Sequence, residues 1–185
     1  MVEEARLDEL ASGLAPLTEG WFVVNVRDAA WETNAYLGAM CAFESEHAPF
    51  PQLGINVRVL VPGRSRWLYH AEQVQEDFLL LVGECLLLVE GETRTLHAWD
   101  FVHCPPGTEH AFLASGNGPC VIVMVGARVP GWPAHGIVFP RSEIALRHGV
   151  GVETETSSPA EAWAELGVPG WKLERPDDWD TLPWA

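Results

Sequence analysis

The chain has 185 residues, with 26 Asp and Glu against 11 Lys and Arg, giving a formal net charge of −15 at pH 7. That length fits one domain with appended arms and can bury a substantial core, and 48% hydrophobic residues exclude a disordered chain despite the charge. A surface this acidic repels phosphate backbones and anionic lipid, so neither nucleic acid nor a membrane is expected as a partner.

The opening stretch, MVEEARLDEL, has no basic region followed by an apolar one, so no secretory signal is expected. The apolar runs, such as Phe78–Val82 and Val121–Val125, are far shorter than the roughly 20 residues of a bilayer-spanning helix. Cys41, Cys85, Cys104 and Cys120 form no CxxC pair and read as reduced thiols. Together these features predict a cytoplasmic protein.

Leu7, Leu10 and Leu14 recur at helical spacing, predicting a short acidic helix over residues 1–14. Trp21 to Val24 form an apolar run suited to a strand or to packing across a sheet, and Asp28–Ala48 reads as irregular, anchored by Trp31, Tyr36 and Phe43. From Gln52 to Val129, short apolar segments alternate with Pro62-Gly63, Gly83-Glu84, Glu90-Gly91-Glu92 and Pro105-Pro106-Gly107. Strands at such spacing, punctuated by Gly and Pro, indicate an all-β sandwich or barrel. Beyond Arg128, Ser142–His148 and Pro159–Leu166 are expected as short helices, with Ser142 and Ser158 at the caps and Gly149 and Gly167 as stops. The tail carries Trp171, Trp179 and Trp184, aromatics that dock either on the chain's own barrel or on a second subunit. The expected organisation is an N-terminal helix and arm over 1–50, a barrel over 51–129, and a C-terminal arm with short helices over 130–185.

Two clusters carry the chemistry. The first is His70-x-Glu72-x3-Glu76, and the second is Pro105-x-Gly107-x2-His110. Strand alternation turns His70 and Glu72 the same way, and gives Glu76, Phe78 and Leu80 a common face. Two imidazoles and one or two carboxylates converging inside a barrel make a divalent-metal site.

These clusters sit in longer patterns, Gly63-x6-His70-x-Glu72-x3-Glu76-x6-Gly83 and Trp99-Asp100-x4-Pro105-x-Gly107-x2-His110. In order and at this spacing, they resemble the two signatures of the cupin superfamily, over roughly residues 52–127. The resemblance implies a double-stranded β-helix, or jelly-roll barrel, of the RmlC-like kind. It departs at three positions: Glu72 stands for the second His of an HxH pair, Trp99 for the Gly opening the second signature, and Ala114 for its closing Asn. Carried over by position, the ligand set is His70, Glu72, Glu76 and His110. This oxygen-rich set suits Zn²⁺, with Fe²⁺, Mn²⁺ or Ni²⁺ as alternatives. Should Glu72 turn away, the remainder resembles the 2-His-1-carboxylate arrangement of non-haem iron sites. The longer stretches YHAEQVQEDFLLLVGECLLLVEGE and AWDFVHCPPGTEH also resemble uncharacterised, mainly actinobacterial cupins.

The function this implies is a metal-dependent enzyme of dioxygenase, isomerase or lyase type acting on a small organic molecule, with Glu72 as fourth ligand or general base. The alternative is a non-catalytic module that binds a small molecule or a metal. No basic helix-turn-helix flanks the barrel, so a transcription factor is not expected; a homodimer through strand or arm exchange is. Trp67, Tyr69 and Phe78 are candidate cavity walls, and Arg58 and Arg66 are candidate clamps for a carboxylate. His103 and Cys104 point to opposite faces, and His97 and His148 read as surface positions.

Overall fold

The computed structural model describes residues 1–64, 67–129, 136–164 and 170–176. Thirteen strands and two short helices follow one another along these residues: β1 (Leu7–Leu10), β2 (Gly13–Pro16), β3 (Trp31–Asn34), β4 (Gly38–Ala42), β5 (Leu53–Leu60), β6 (Ala71–Glu72), β7 (Glu76–Val82), β8 (Glu84–Val89), β9 (Glu92–His97), β10 (Phe101–Cys104), β11 (His110–Ala114), β12 (Cys120–Ala127), β13 (Ile137–Val138), α1 (Glu143–Arg147) and α2 (Pro159–Ala164). A six-stranded antiparallel sheet runs β10-β7-β12-β5-β4-β3, and a three-stranded sheet runs β11-β8-β9. The architecture is the expected all-β double-stranded β-helix.

Alternation along the strands builds the interior. Leu60, Phe78, Leu80, Leu87, Phe112 and Ile122 come from both sheets and form one buried cluster between them. The opposite parity faces outward and is covered in part by the arms. Val57, Val59 and Trp31 pack beneath Val24 and Val26, while Leu88 and Ala111 pack with Ala145 and Val150 of the C-terminal arm. Each fully buried Leu or Phe contributes about 1.5–3 kcal/mol. The arms therefore cover part of the outer face of each sheet.

The N-terminal segment corrects the sequence reading. Residues 1–14 hold no helix: β1 and β2 pair as an antiparallel hairpin in the register Leu7↔Pro16 to Leu10↔Gly13. Gly13 decides this, because its φ is +128° and a Cβ there would lie 2.1 Å from the Ala29 carbonyl oxygen. Trp21–Val24 forms no strand; Trp21 makes only an isolated bridge with Glu4, and Val24 packs on the sheet. Asp28–Ala48 is not irregular throughout, since β3 and β4 extend the large sheet from the edge of β5. Trp31 is a buried anchor, Phe43 packs on the same cluster, and Tyr36 is exposed.

The helices fall close to their expected places. The Ser158 hydroxyl accepts the Glu161 amide at 3.3 Å and caps α2. Ser142 holds the N-cap position of α1 without a side-chain cap bond. Leu166, Gly167, Trp179 and Trp184 lie outside the described residues, as does Arg66. All four cysteines are free and buried, and no helix among the described residues is long and apolar enough to cross a membrane.

Gly83 turns the chain from β7 into β8 with φ +81°, and an added Cβ would sit 2.5 Å from the Pro119 carbonyl oxygen. A left-handed residue with a side chain costs about 1–2 kcal/mol before any clash is counted. Gly83→Ala is therefore expected to destabilise the fold by about 2 kcal/mol or more, read as a lower midpoint in urea unfolding at unchanged m-value.

Candidate metal centre

The site is assembled by an unusual local pairing of its two histidines. His70 and His110 form an isolated antiparallel bridge, in which the His70 amide donates to the His110 carbonyl at 3.0 Å and the His110 amide returns the bond at 2.8 Å. The backbone thus fixes the imidazoles side by side, with ring centroids 4.8 Å apart. Pro105-Pro106-Gly107 delivers the chain to His110, and the Gly107 amide donates to the Glu72 carbonyl at 2.7 Å. This bond ties the second motif to the first. Glu76 opens β7 on the same parity as Phe78 and Leu80, so it faces the interior above an apolar floor.

Both rings are held in one tautomer. His70 Nδ1 lies 2.7 Å from the Leu68 carbonyl oxygen, and His110 Nδ1 lies 3.0 Å from that of Thr108. A carbonyl only accepts, so each Nδ1 carries the hydrogen and each neutral Nε2 presents its lone pair inward. His110 Nε2 stands 3.6 Å from Glu76 Oε2, and His70 Nε2 stands 4.0 Å from Glu72 Oε1.

Burial sets the protonation of these groups. His70 is held down to about 3, first by loss of hydration and then by the neighbouring His110. His110 is lowered by the same burial. Glu76 is pushed up to about 8, chiefly by burial and further by the negative Glu72. A carboxylate placed among neutral imidazoles lacks a countercharge.

His70, Glu76 and His110 offer donor atoms within 4.8 Å of one another, a group that could hold a metal ion. This approaches the roughly 3–4.4 Å separating donors on a single ion with bonds of about 2.0–2.2 Å. The inward lone pairs and the buried Glu76 carboxyl suit a divalent cation, whose charge would hold that carboxyl ionised. Glu72 lies beside this group on the cavity wall, with its side chain 11% exposed.

A cavity of about 340 Å³ opens onto these donors. Phe78 and Trp67 wall it as the sequence suggests, whereas Tyr69 packs outside, where its hydroxyl accepts the Gly91 amide at 3.2 Å. His103 is exposed and pairs with Asp77 at 2.7 Å, and Cys104 is buried in the core. His97 and His148 are exposed. Met40 and Glu44 also line the cavity, and sequence reasoning missed them because their segment was expected to be irregular. Asn56 was missed too, although its parity with Arg58 in an alternating strand was the available signal.

Residues 56–126 match the Cupin domain family. The polyketide cyclase RemF from Streptomyces resistomycificus shares the fold with a TM-score of 0.51 at 15% identity, over 58% of this chain and 79% of that one. A sugar phosphate isomerase of the cupin superfamily from Silicibacter pomeroyi DSS-3 aligns at 20% identity with a TM-score of 0.49, over 58% and 76%. A protein from Acidithiobacillus ferrooxidans aligns at 24% identity with a TM-score of 0.39, over 42% of this chain and 51% of its own. The chain thus spans about half the length of that last relative. No curated protein matches the sequence.

Proposed function

We propose that this chain, whose residues 56–126 match the Cupin domain family, is a metal-dependent enzyme acting on a small organic molecule in the barrel. The observation that carries this reading is the buried His70–Glu76–His110 group, with both imidazoles held in the metal-ready tautomer by backbone carbonyls. Those three residues would hold one divalent ion, zinc in the protein as purified or iron, manganese or nickel in its place. When bound, such an ion supplies a Lewis acid that polarises a substrate oxygen or lowers the pKa of a water toward about 7.

The chain's own residues do the rest. His70 and His110 stay neutral because burial holds their protonation down, and Glu76 would supply the negative charge once a cation holds it ionised. Glu72, beside the group and reaching the cavity, is positioned to take a proton from a substrate at its carboxylate oxygen. Phe78, Phe112 and Trp67 line the cavity with aromatic surface and keep bulk water from the reacting groups. The partner is a small molecule, with a homodimer and a cytoplasmic location as further parts of the proposal. The non-catalytic reading, a binding module built on the same pocket, predicts ligand-dependent stabilisation without turnover.

Elemental analysis of the natively purified protein, beside a chelated control, tests the metal. The expected content is about one ion per chain, and an empty native protein would overturn the reading. Glu76→Ala is expected to lower that content at least tenfold. Glu72→Ala is expected to keep it within about a factor of two, because Glu72 lies outside the three-donor group. Equal losses in both variants would make Glu72 a ligand rather than a base.

A further inference from the structure

Two arginines line the cavity, and the protein treats them differently. Arg128 pairs with Glu44 through both terminal nitrogens and donates to the Phe50 carbonyl at 2.6 Å. Its hydrogen-bonding groups are engaged by the protein itself. Arg58, only 5% exposed, leaves Nε and Nη1 buried without any hydrogen-bond partner. Its Cζ sits 3.9 Å from the ring centroid of Trp67 and 5.1 Å from that of Trp171. Aromatic faces stabilise the positive charge, but they accept nothing from the N–H groups at the edge of the guanidinium plane.

The strand explains why the charge points inward. Asn56, Arg58 and Leu60 share the interior face of β5, while Val57 and Val59 fill the outer cluster. Asn56 Oδ1 is likewise buried without a partner, and both residues line the cavity that opens onto His70, Glu76 and His110. The Trp67 ring links the two regions, touching Arg58 on one side and lying 6.2 Å from the His70 ring on the other. The acidic residue acting on Arg58 is Glu32, which stands two strands away in the register Glu32↔Met40↔Arg58. A buried guanidinium with idle donors is costly unless something supplies acceptors.

We propose that the cavity takes a small organic acid, its carboxylate received by the Arg58 guanidinium and a neighbouring hydroxyl or amine donating to Asn56 Oδ1. The planar donor edge of arginine matches the two oxygens of a carboxylate. The Asn56 acceptor then selects acids carrying a hydrogen-bond donor nearby. The volume of about 340 Å³ lies at the lower end of the usual 300–1,000 Å³ for ligand sites, which favours a compact molecule. This assignment rests on reading the cavity as the ligand site, and it names the class of ligand.

The test is isothermal titration of the full chain, as purified and after chelation. The probes are lactate, malate and mandelate, with acetate, propane-1,2-diol and inorganic phosphate beside them. The 2-hydroxy acids are expected to bind, with acetate weaker and the diol silent. Arg58→Met and Arg58→Lys are each expected to raise the dissociation constant at least tenfold. Asn56→Ala is expected to erase the preference for hydroxy acids over acetate. Arg58→Met is also expected to unfold at the same temperature as the parent or a higher one, because it removes a buried charge; this separates lost binding from lost folding.

Binding of these acids that survives Arg58→Met overturns the proposal, as does no binding by any of them or a preference for phosphate. If chelation abolishes acid binding while Arg58→Met does not, the metal reading stands and the Arg58 assignment falls. If the native protein holds no metal yet binds acids through Arg58, the outcome is reversed.

Discussion

Stripped of metal, the protein is expected to lose about 1–2 kcal/mol of stability between pH 6.5 and 8.5, while the metal-loaded protein stays flat over the same window. The effect comes from Glu76, whose carboxyl is held up to about 8 in the fold by burial first and the Glu72 charge second, against an ordinary value of about 4.3 in the unfolded chain. The folded state therefore binds the proton more tightly than the unfolded state. Its stabilising contribution is complete below the unfolded value and is lost as pH rises through the folded one. His70 and His110 work in the opposite direction, because their folded values are lowered. Their contribution is gained mostly below about pH 6.5 and only slightly offsets Glu76 above it. A bound divalent ion keeps Glu76 ionised throughout and removes the slope. Urea midpoints measured across the window, with Glu76→Gln as control, check this. Parallel slopes in the chelated wild type and in chelated Glu76→Gln would exclude Glu76 as the source.

His110→Ala carries the second large effect. The ring is 1% exposed and packs with Phe78 and Phe112 at centroid distances of 5.1 and 5.8 Å. Truncation removes a ligand and leaves a void at the top of the core, at an expected loss of about 2–4 kcal/mol, near the range for large-to-small core changes. Metal affinity is expected to fall by at least about a hundredfold, beyond what loss of an outer-shell partner alone produces. His110→Phe separates the two contributions: it restores the aromatic packing and most of the stability but leaves metal content as low as in His110→Ala. Recovery of metal in His110→Phe would exclude His110 as a ligand.

The residues of the site were legible in the sequence because the chemistry forces their spacing. His70 and Glu72 sit two apart on an extended segment, Glu76 begins the following strand, and a Pro-Gly turn delivers His110 to its bridge with His70. The N-terminal arm was less legible. Leu7, Leu10 and Leu14 fall at helical spacing by coincidence, and the hairpin is set by Gly13, whose backbone conformation is cramped against Ala29. The strands Trp31–Asn34 and Gly38–Ala42 are too short to show a period, and their pairing with Leu53–Leu60 is a long-range contact that local pattern does not reveal. Trp99 illustrates the converse. It stands where the family signature has glycine, with φ +76° and its amide donating to the Leu80 carbonyl. The backbone path is retained by an exposed tryptophan in a conformation that suits glycine better.

The pairing of β4 with β5 has a consequence for how the chamber is built. The candidate metal donors hang from backbone inside residues 56–126, where the family match lies. Part of the cavity wall, including Met40, Ala42, Glu44 and Gly54, comes from residues before that match. Substitutions in this earlier stretch reshape the chamber without touching the bridge between His70 and His110. The outline of the chamber and the retention of a metal therefore rest in part on different stretches of the chain.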